Sequence, residues 1–369
     1  MRFDDISPGG SGSFGLLDPV DVIIARRLDE VVPALEEAEA AAAGGLWVAG
    51  HISYEAAPAF NPILTVRPAG LRDRMRDLPL ARFQTFRRRV ALDAIDTMLH
   101  VPAGDYNVSG WTAESSPEEF RSHLATMGRA IMAGEVWQLK HTFRLHAAFS
   151  GDPAALYRDL LLSQRGSFAA CMDLERFRLV SASPQSFFRR TGDIVAVGPV
   201  VATASRGRWL EEDQQYAESL RFSGEASYSA RLIVKEIEAE LAELGEVLTS
   251  ADVSRYTVER LETVWQLTAG LAVKLRPEVG LVDIFEALYP LASLTGVPKV
   301  EAMALLAATE ASTRGAYCGT IGYLAPTPSG QVDASFNVAV RTVVIDEDEG
   351  VAEFGVGAAI TNRSEVVTA

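Results

Sequence analysis

The chain has 369 residues and a mass of 39.8 kDa, enough for one large domain or two ordinary ones, and its 48% hydrophobic content can fill an extended core. With 22% charged residues, a formal charge of −15 and a pI near 4.9, it repels polyanions, which argues against nucleic acid or an acidic membrane as partner. Its two cysteines, Cys171 and Cys318, form no CxxC; they exclude a thiolate zinc site and read as buried thiols in a reducing compartment.

In chain order, the opening MRFDDISPGGSGSFG does not join a basic stretch to an apolar one, and no apolar run reaches bilayer length, so a cytoplasmic protein is expected. Val20 to Ala43 carry apolar residues at helical spacing and end in Gly44-Gly45, which predicts a helix with a glycine stop. LWVAGHISYEAA follows as a strand, whereas Pro68 to Arg89 show weak periodicity and Val101 to Asn107 read as a loop. The chain reads as a single domain over 1–369, in which the break near residues 100–115 would set off an N-terminal subregion 1–110 from a core of 111–365. Ser115-Ser116-Pro117 and the glutamates after it predict a helix start, with the helix running through Met132 to a stop at Gly134.

Short β-rich runs succeed one another next: FAACMDL, FRLVSAS, SFFRRTG and DIVAVGPVV. Ala230 to Leu248 and Leu281 to Ala308 return to helical periodicity, and YCGTIGYLA, ASFNVAVRTVVID and VAEFGVGAAI read as three further strands. The implied class is α+β with large antiparallel sheets rather than a parallel βαβ series. Among the five histidines, only His141 and His146 are close, and a spacing of five suits neither helix nor strand for a shared metal.

Single fragments such as SLTGVPK are weak, but their order is informative. The series GEVWQLKHTFRL, SASPQSFFRRTGDIVAVGPVVATASRG, TVWQL, ALYPLASLTGVPKVEAM, RGAYCGTIGYLAP, FNVAVRT and FGVGAAI resembles the chorismate-utilising enzymes: anthranilate, aminodeoxychorismate, isochorismate and salicylate synthases. SYEAAPAF, TVWQLT and RGAYCGTIGY lean towards aminodeoxychorismate synthase component I. The resemblance spans about residues 45 to 365. It implies two large twisted antiparallel sheets packed face to face with helices outside, a cleft at one end, magnesium in the relatives, and a glutaminase partner that supplies ammonia.

Chorismate carries two carboxylates, so its cleft needs fixed positive charge and backbone donors. By the resemblance, Arg341 and Tyr317 would hold the enolpyruvyl carboxylate, while Lys299, Thr295 and the backbone at Gly357 would lie by the ring carboxylate. Gln138 stands where amine-forming relatives carry glutamine and water-activating relatives carry lysine. Taken alone, Arg341 would read as a strand arginine paired at the surface, Lys299 as a helix-start lysine, Tyr317 as a core tyrosine and Gln138 as a hydrogen-bonded strand side chain.

The catalytic parts depart from the family pattern. SPE becomes SPQ, and the amide of Gln185 has no proton to give near neutral pH. PIKGT becomes PVVAT, placing Val201 where a lysine nucleophile is expected. Magnesium takes hard oxygen ligands, yet the metal-binding segment reads GEASYSARLIVKEIEAEL, with Ser229 at the position of the metal-binding glutamate, Ala230 beside it and Lys235 at the following aspartate. The second metal glutamate would have to be replaced by Glu365, and Leu291, Ala292 and Ala359 add bulk beside the cleft. No bound cofactor is therefore expected. Three readings stay open. One is a diverged enzyme of specialised metabolism acting on chorismate or another small carboxylate, with Gln185 and Lys235 supplying a hydrogen bond and a charge where acid and magnesium stood. The others are a pseudoenzyme that binds a ligand or partner subunit, and ordinary magnesium-dependent aminodeoxychorismate synthesis.

Overall fold

The computed structural model describes residues 1–7, 10, 12–71, 73–93, 104–222, 224–248 and 256–361, with the side chains of 224–227 and 229 left aside. Runs of alternating or fully apolar residues pair into two antiparallel leaves. The first runs in spatial order through Gly245–Val247, Leu271–Leu275, Ile194–Val197, Ser186–Thr191, Val332–Val338, Thr320–Pro326, Trp47–Ile52, Ala81–Leu92 and Gly12–Ala25. Arg2–Asp5 pairs with Gly12–Ala25 on one side and with Phe168–Leu174 on the other, and so carries the ladder into the second leaf. That leaf continues through Phe177–Ser183, Thr342–Asp346, Val351–Thr361 and Gln138–Gly151. A separate small sheet holds Val200–Ser205, Val264–Ala269 and Tyr256–Arg260.

The leaves face each other across one apolar cluster, to which Phe14, Leu16, Ala49, Phe86 and Ile321 come from the first and Phe3, Ala170, Met172, Leu179 and Val344 from the second. Burying each large side chain of this kind stabilises the fold by about 1.5–3 kcal/mol. Helices cover the outer faces. Leu28–Ala43, Gly224–Ala242 and Leu281–Leu288 pack on the first leaf, Pro153–Gln164 on the second, and Pro117–Met132 with Lys299–Thr309 against Leu139 and Ile360. This is the α+β class read from the residue pattern, in the face-to-face arrangement of antiparallel sheets that the resemblance implies.

Local differences have identifiable causes. The helix expected from Val20 starts at Leu28, because the β-branched run through Val22, Ile23 and Ile24 pairs with Arg82–Gln84, and Glu30 Oε2 then accepts from the Arg26 and Arg27 amides at 2.8 and 3.0 Å. The stop holds: Gly44 N donates to Ala40 O, and Gly45 has φ +97°. The strand LWVAGHISYEAA ends at Ile52 and becomes a single 3₁₀ turn, Tyr54–Ala56. Pairing with both Gly12–Ala25 and Trp47–Ile52 makes a strand of Ala81–Leu92, despite its weak periodicity. In the segment read as a loop, Tyr106–Val108 forms a short strand, and residues 101–103 lie outside the described residues. Ser116 caps the helix as expected, and Glu119 reaches back to its amide to complete a capping box. The expected helix Leu281–Ala308 is two helices, separated by a segment that contains Pro290 and Pro298. Residues before 110 supply strands in the middle of the ladder.

The run ASFNVAVRTVVID is also divided. Val332–Val338 belongs to the first leaf and Thr342–Asp346 to the second, so the chain crosses between leaves at residues 339–341. Arg341 makes that crossing with φ +51°, an unusual value for a non-glycine residue.

Candidate functional site

The crossing gathers the predicted residues. Backbone bonds fasten it to the Tyr317 segment, with Cys318 N donating to Ala339 O at 3.0 Å and Ala339 N to Gly319 O at 2.9 Å. Val338 N donates to Gln185 O at 3.0 Å, and the Gln185 Nε2 donates to Ser293 Oγ at 3.4 Å. Ser293 leads to Thr295, whose carbonyl accepts from Lys140 N at 2.8 Å, and Trp137 N donates to Val297 O at 2.8 Å. Five segments thus meet at one end of the sandwich.

One wall is the strand Gln138–Gly151, where alternation puts Leu139, His141 and Phe143 towards the helices and Gln138, Lys140, Thr142 and Arg144 on the opposite face. Across from these stand Thr361, Ala359, Gly357 and Gly355. The missing side chains at the glycines admit Tyr317: a Cβ on Gly355 would fall inside its ring, and one on Gly357 would meet the tyrosine hydroxyl at 3.4 Å and His141 O at 2.8 Å. Arg144 lies 5.1 Å from the Tyr317 ring centroid, and burial raises the phenol well above its ordinary range.

Arg341 is half-buried. Its Nη1 donates to Gln164 Oε1 at 2.6 Å, no carboxylate pairs with it among the described residues, and burial pushes its guanidinium below the ordinary value. Gln138 is buried, and its Oε1 has no hydrogen-bond partner. Thr295 is fully buried, its hydroxyl donating to Leu291 O at 3.5 Å. Gly357 faces Thr142 beside the Tyr317 hydroxyl.

The other predicted residues point elsewhere. The Lys299 ammonium forms an ion pair with Glu240 at 2.5 Å, and its backbone amide donates to Glu236. That pair offsets the unfavourable placing of a cation at a helix N-terminus. Burial pushes the Glu240 carboxyl up to about 7 despite the lysine. Lys235 is exposed on the helix Gly224–Ala242, and among the described residues no hydrogen bond or ion pair joins it to Gln185 or to the cleft. The Cys318 thiol is buried as expected, but Cys171 is partly exposed. His141 and His146 diverge: His146 Nε2 bonds Glu353 at 2.9 Å, while His141 packs beside His123, and burial lowers its imidazole to about 4.

Of the positions that the resemblance ties to magnesium, the structure describes Lys235 and Ala230, the neighbour of the ligand position Ser229. Ala230 is a buried methyl group and Lys235 a cation; the Ser229 side chain and Glu365 lie outside the described residues. Among the described residues, no three or more of His, Cys, Asp and Glu are grouped to hold a metal.

Sequence reasoning missed the group that props the site from behind. Glu310 and Arg314, both fully enclosed, pair at 2.7 and 3.0 Å; Arg314 also donates to Leu294 O and Lys140 O at 2.8 Å each, and Glu310 accepts from Thr142 N and Oγ1 at 2.9 and 2.8 Å. Glu55, from SYEAAPAF, accepts the amides of Arg314 and Gly315 at 2.6 and 2.9 Å, and burial pushes its carboxyl up to about 7. Arg144 and Lys140 lay in the run already singled out, at the even spacing from Gln138 that shares its face.

Comparisons with known proteins agree with this geometry. A profile of the chorismate binding enzyme family matches residues 16–367. The chain is 25% identical over 264 residues to anthranilate synthase component 1 of Aquifex aeolicus, covering 71% of this chain and 52% of that protein. Aminodeoxychorismate synthase component 1 of Escherichia coli is likewise 25% identical over 244 residues, covering 66% and 53%. The chain spans about half the length of these curated relatives. Among solved structures, anthranilate synthase component I of Streptococcus pneumoniae superposes with a TM-score of 0.79 at 20% identity over 99% of this chain and 88% of that one, a likeness of fold.

Proposed function

We propose, since this chain belongs to the chorismate-binding enzyme family, that it binds chorismate or a small molecule with a similar pair of carboxylates, and acts on it without the usual magnesium carboxylates, glutamic acid or lysine nucleophile. The observation that carries the first half is Arg341, a half-buried cation at the leaf crossing that has no carboxylate of its own among the described residues. A desolvated guanidinium without a counter-charge gains most from a carboxylate brought by a ligand. The Tyr317 hydroxyl beside Gly357 adds a hydrogen-bonding group on a rigid support.

The second half rests on Gln185. Its amide is fixed by Ser293, can orient a ligand oxygen by hydrogen bonding, and cannot protonate a leaving hydroxyl. This reading makes the protein a relative of aminodeoxychorismate synthase component I with altered chemistry, and makes a glutaminase or another pathway protein a candidate partner. The test is to incubate purified protein with chorismate and ammonium, with magnesium and then with chelator, and follow chorismate and products by mass spectrometry. Chorismate that binds but is not converted to aminodeoxychorismate under either condition supports the loss of the usual reaction. Magnesium-dependent aminodeoxychorismate overturns it.

A further inference from the structure

The 34 basic residues of this chain include four lysines: Lys140, Lys235, Lys274 and Lys299. Three occupy ordinary surroundings. Lys235 is exposed to water, Lys274 lies 3.8 Å from Asp193 at the surface, and Lys299 is held by Glu240. Lys140 differs. It extends from the inner face of the strand Gln138–Gly151 and is only partly open to solvent, and its ammonium has no hydrogen bond or ion pair among the described residues. The charged group beside it is the guanidinium of Arg314, which Glu310 already neutralises; burial first, and Arg314 with it, push the amine below its ordinary value.

A second, independent observation lies two residues away on the same face. Gln138 Oε1 is buried and accepts no hydrogen bond, which costs about 1–3 kcal/mol unless something donates to it. One strand face therefore presents an unpaired donor and an unpaired acceptor, anchored roughly 6.5–7 Å apart by the strand rise. Opposite Lys140 stands Ala359, and the next inward position on that strand is Gly357, so the facing side chains leave the lysine uncovered.

We propose that Lys140 and Gln138 form a ligand subsite, in which the lysine ammonium takes a carboxylate and the glutamine oxygen accepts from a hydroxyl or amino group borne by the same small molecule. The proposal rests on the reading of the cleft given above and deepens it: the ligand class is a compact hydroxy or amino carboxylate whose two polar ends lie across a ring. Lys140 then provides a positive charge for one carboxylate, separate from Arg341. A bound carboxylate favours the ammonium form, so affinity declines once pH rises far enough to deprotonate the lysine.

The experiment is reductive methylation of the folded protein with formaldehyde and cyanoborohydride, followed by peptide mass mapping, which four lysines keep simple. The probes are chorismate and 4-hydroxybenzoate, which carries a carboxylate and a hydroxyl across one ring. At ten times its Kd a bound probe should slow Lys140 labelling about tenfold, with Lys235 and Lys274 unchanged. In parallel, Lys140→Met should weaken binding roughly 10- to 100-fold, and Lys235→Met should not. Protection by 4-hydroxybenzoate without protection by chorismate supports the subsite and overturns the chorismate reading. Absence of Lys140 labelling in the free protein, or labelling that neither probe slows, overturns the subsite.

Discussion

Replacing Glu310 by Gln tests the idea that the cleft stands on a buried ion pair. The Glu310 and Arg314 side chains are 5% and 1% exposed, and they share two short hydrogen bonds. Burial alone would raise the Glu310 carboxyl, yet Arg314 holds it below the ordinary carboxylate range, so the native state contains both charges. Glutamine with its oxygen at the Oε1 position retains an acceptor for Thr142 and the Arg314 Nη2, but it removes the Oε2 acceptor of the Arg314 Nε and leaves the enclosed guanidinium without a counter-charge. Breaking one side of such a pair costs about 3–5 kcal/mol. An unfolding entropy of about 2.1 cal/mol/K per residue, taken over 369 residues, converts that loss into a Tm lower by about 4–6 °C. Arg314→Met should cost a similar amount by exposing the complementary imbalance. The double variant should cost less than the sum, with a coupling of about 1–3 kcal/mol. Differential scanning calorimetry of the four proteins checks this. A shift below about 1 °C for Glu310→Gln, or strict additivity in the cycle, would refute the claim that the charges stabilise each other.

Three further outcomes are expected. Gly355→Ala drives a methyl group into the Tyr317 ring and should cost about 1–3 kcal/mol, with weaker chorismate binding by calorimetry; unchanged stability would mean that the ring is free to move. Arg341→Ala should lower chorismate affinity roughly 10- to 100-fold with little change in Tm, because among the described residues no ion pair is lost; unchanged affinity would remove Arg341 from the site. Glu55 keeps its proton to about pH 7 in the folded protein but only to about 4.5 in the unfolded chain, so its contribution to stability falls as pH rises through that window. Glu55→Gln should therefore gain stability relative to the parent between pH 5 and 8, and parallel Tm profiles would contradict the shift. His51 and His141, both lowered to about 4 by burial, act oppositely between pH 4 and 6.5 and should persist in that variant.

Much of this architecture was legible because local pattern and tertiary pairing agree. FAACMDL and FRLVSAS become strands over the same residues, and Ser116-Pro117 starts its helix as its chemistry requires. Legibility failed where pairing overrides propensity. Val20 to Ala25 suit a helix by spacing and become a strand because Ala81 to Phe86 lie alongside. The crossing at Arg341 was hidden inside a uniform apolar run, since nothing in FNVAVRT announces that its two halves serve different leaves. In the candidate site, motif order picked out Arg341, Tyr317, Gln138 and Gln185, whose segments backbone bonds and the Gln185–Ser293 contact link together. It gave no warning that Lys299 would be engaged by Glu240, because the partner lies on a helix whose facing cannot be read from either segment alone. Lys140 escaped because a lysine in a strand ordinarily faces water; its difference is the lack of a partner, which only geometry reveals.

The late pairing of Val351–Thr361 with Gln138–Gly151 also matters for how the chain is made. Residues 138–148 find their neighbours in register at 351–361, some two hundred positions later. During synthesis at about 5–20 residues per second, that edge waits on the order of ten seconds or more beyond the ribosome exit with its amides and carbonyls uncovered. A ribosome stalled before Val351 would therefore display an open strand edge to chaperones, and to other nascent copies of itself.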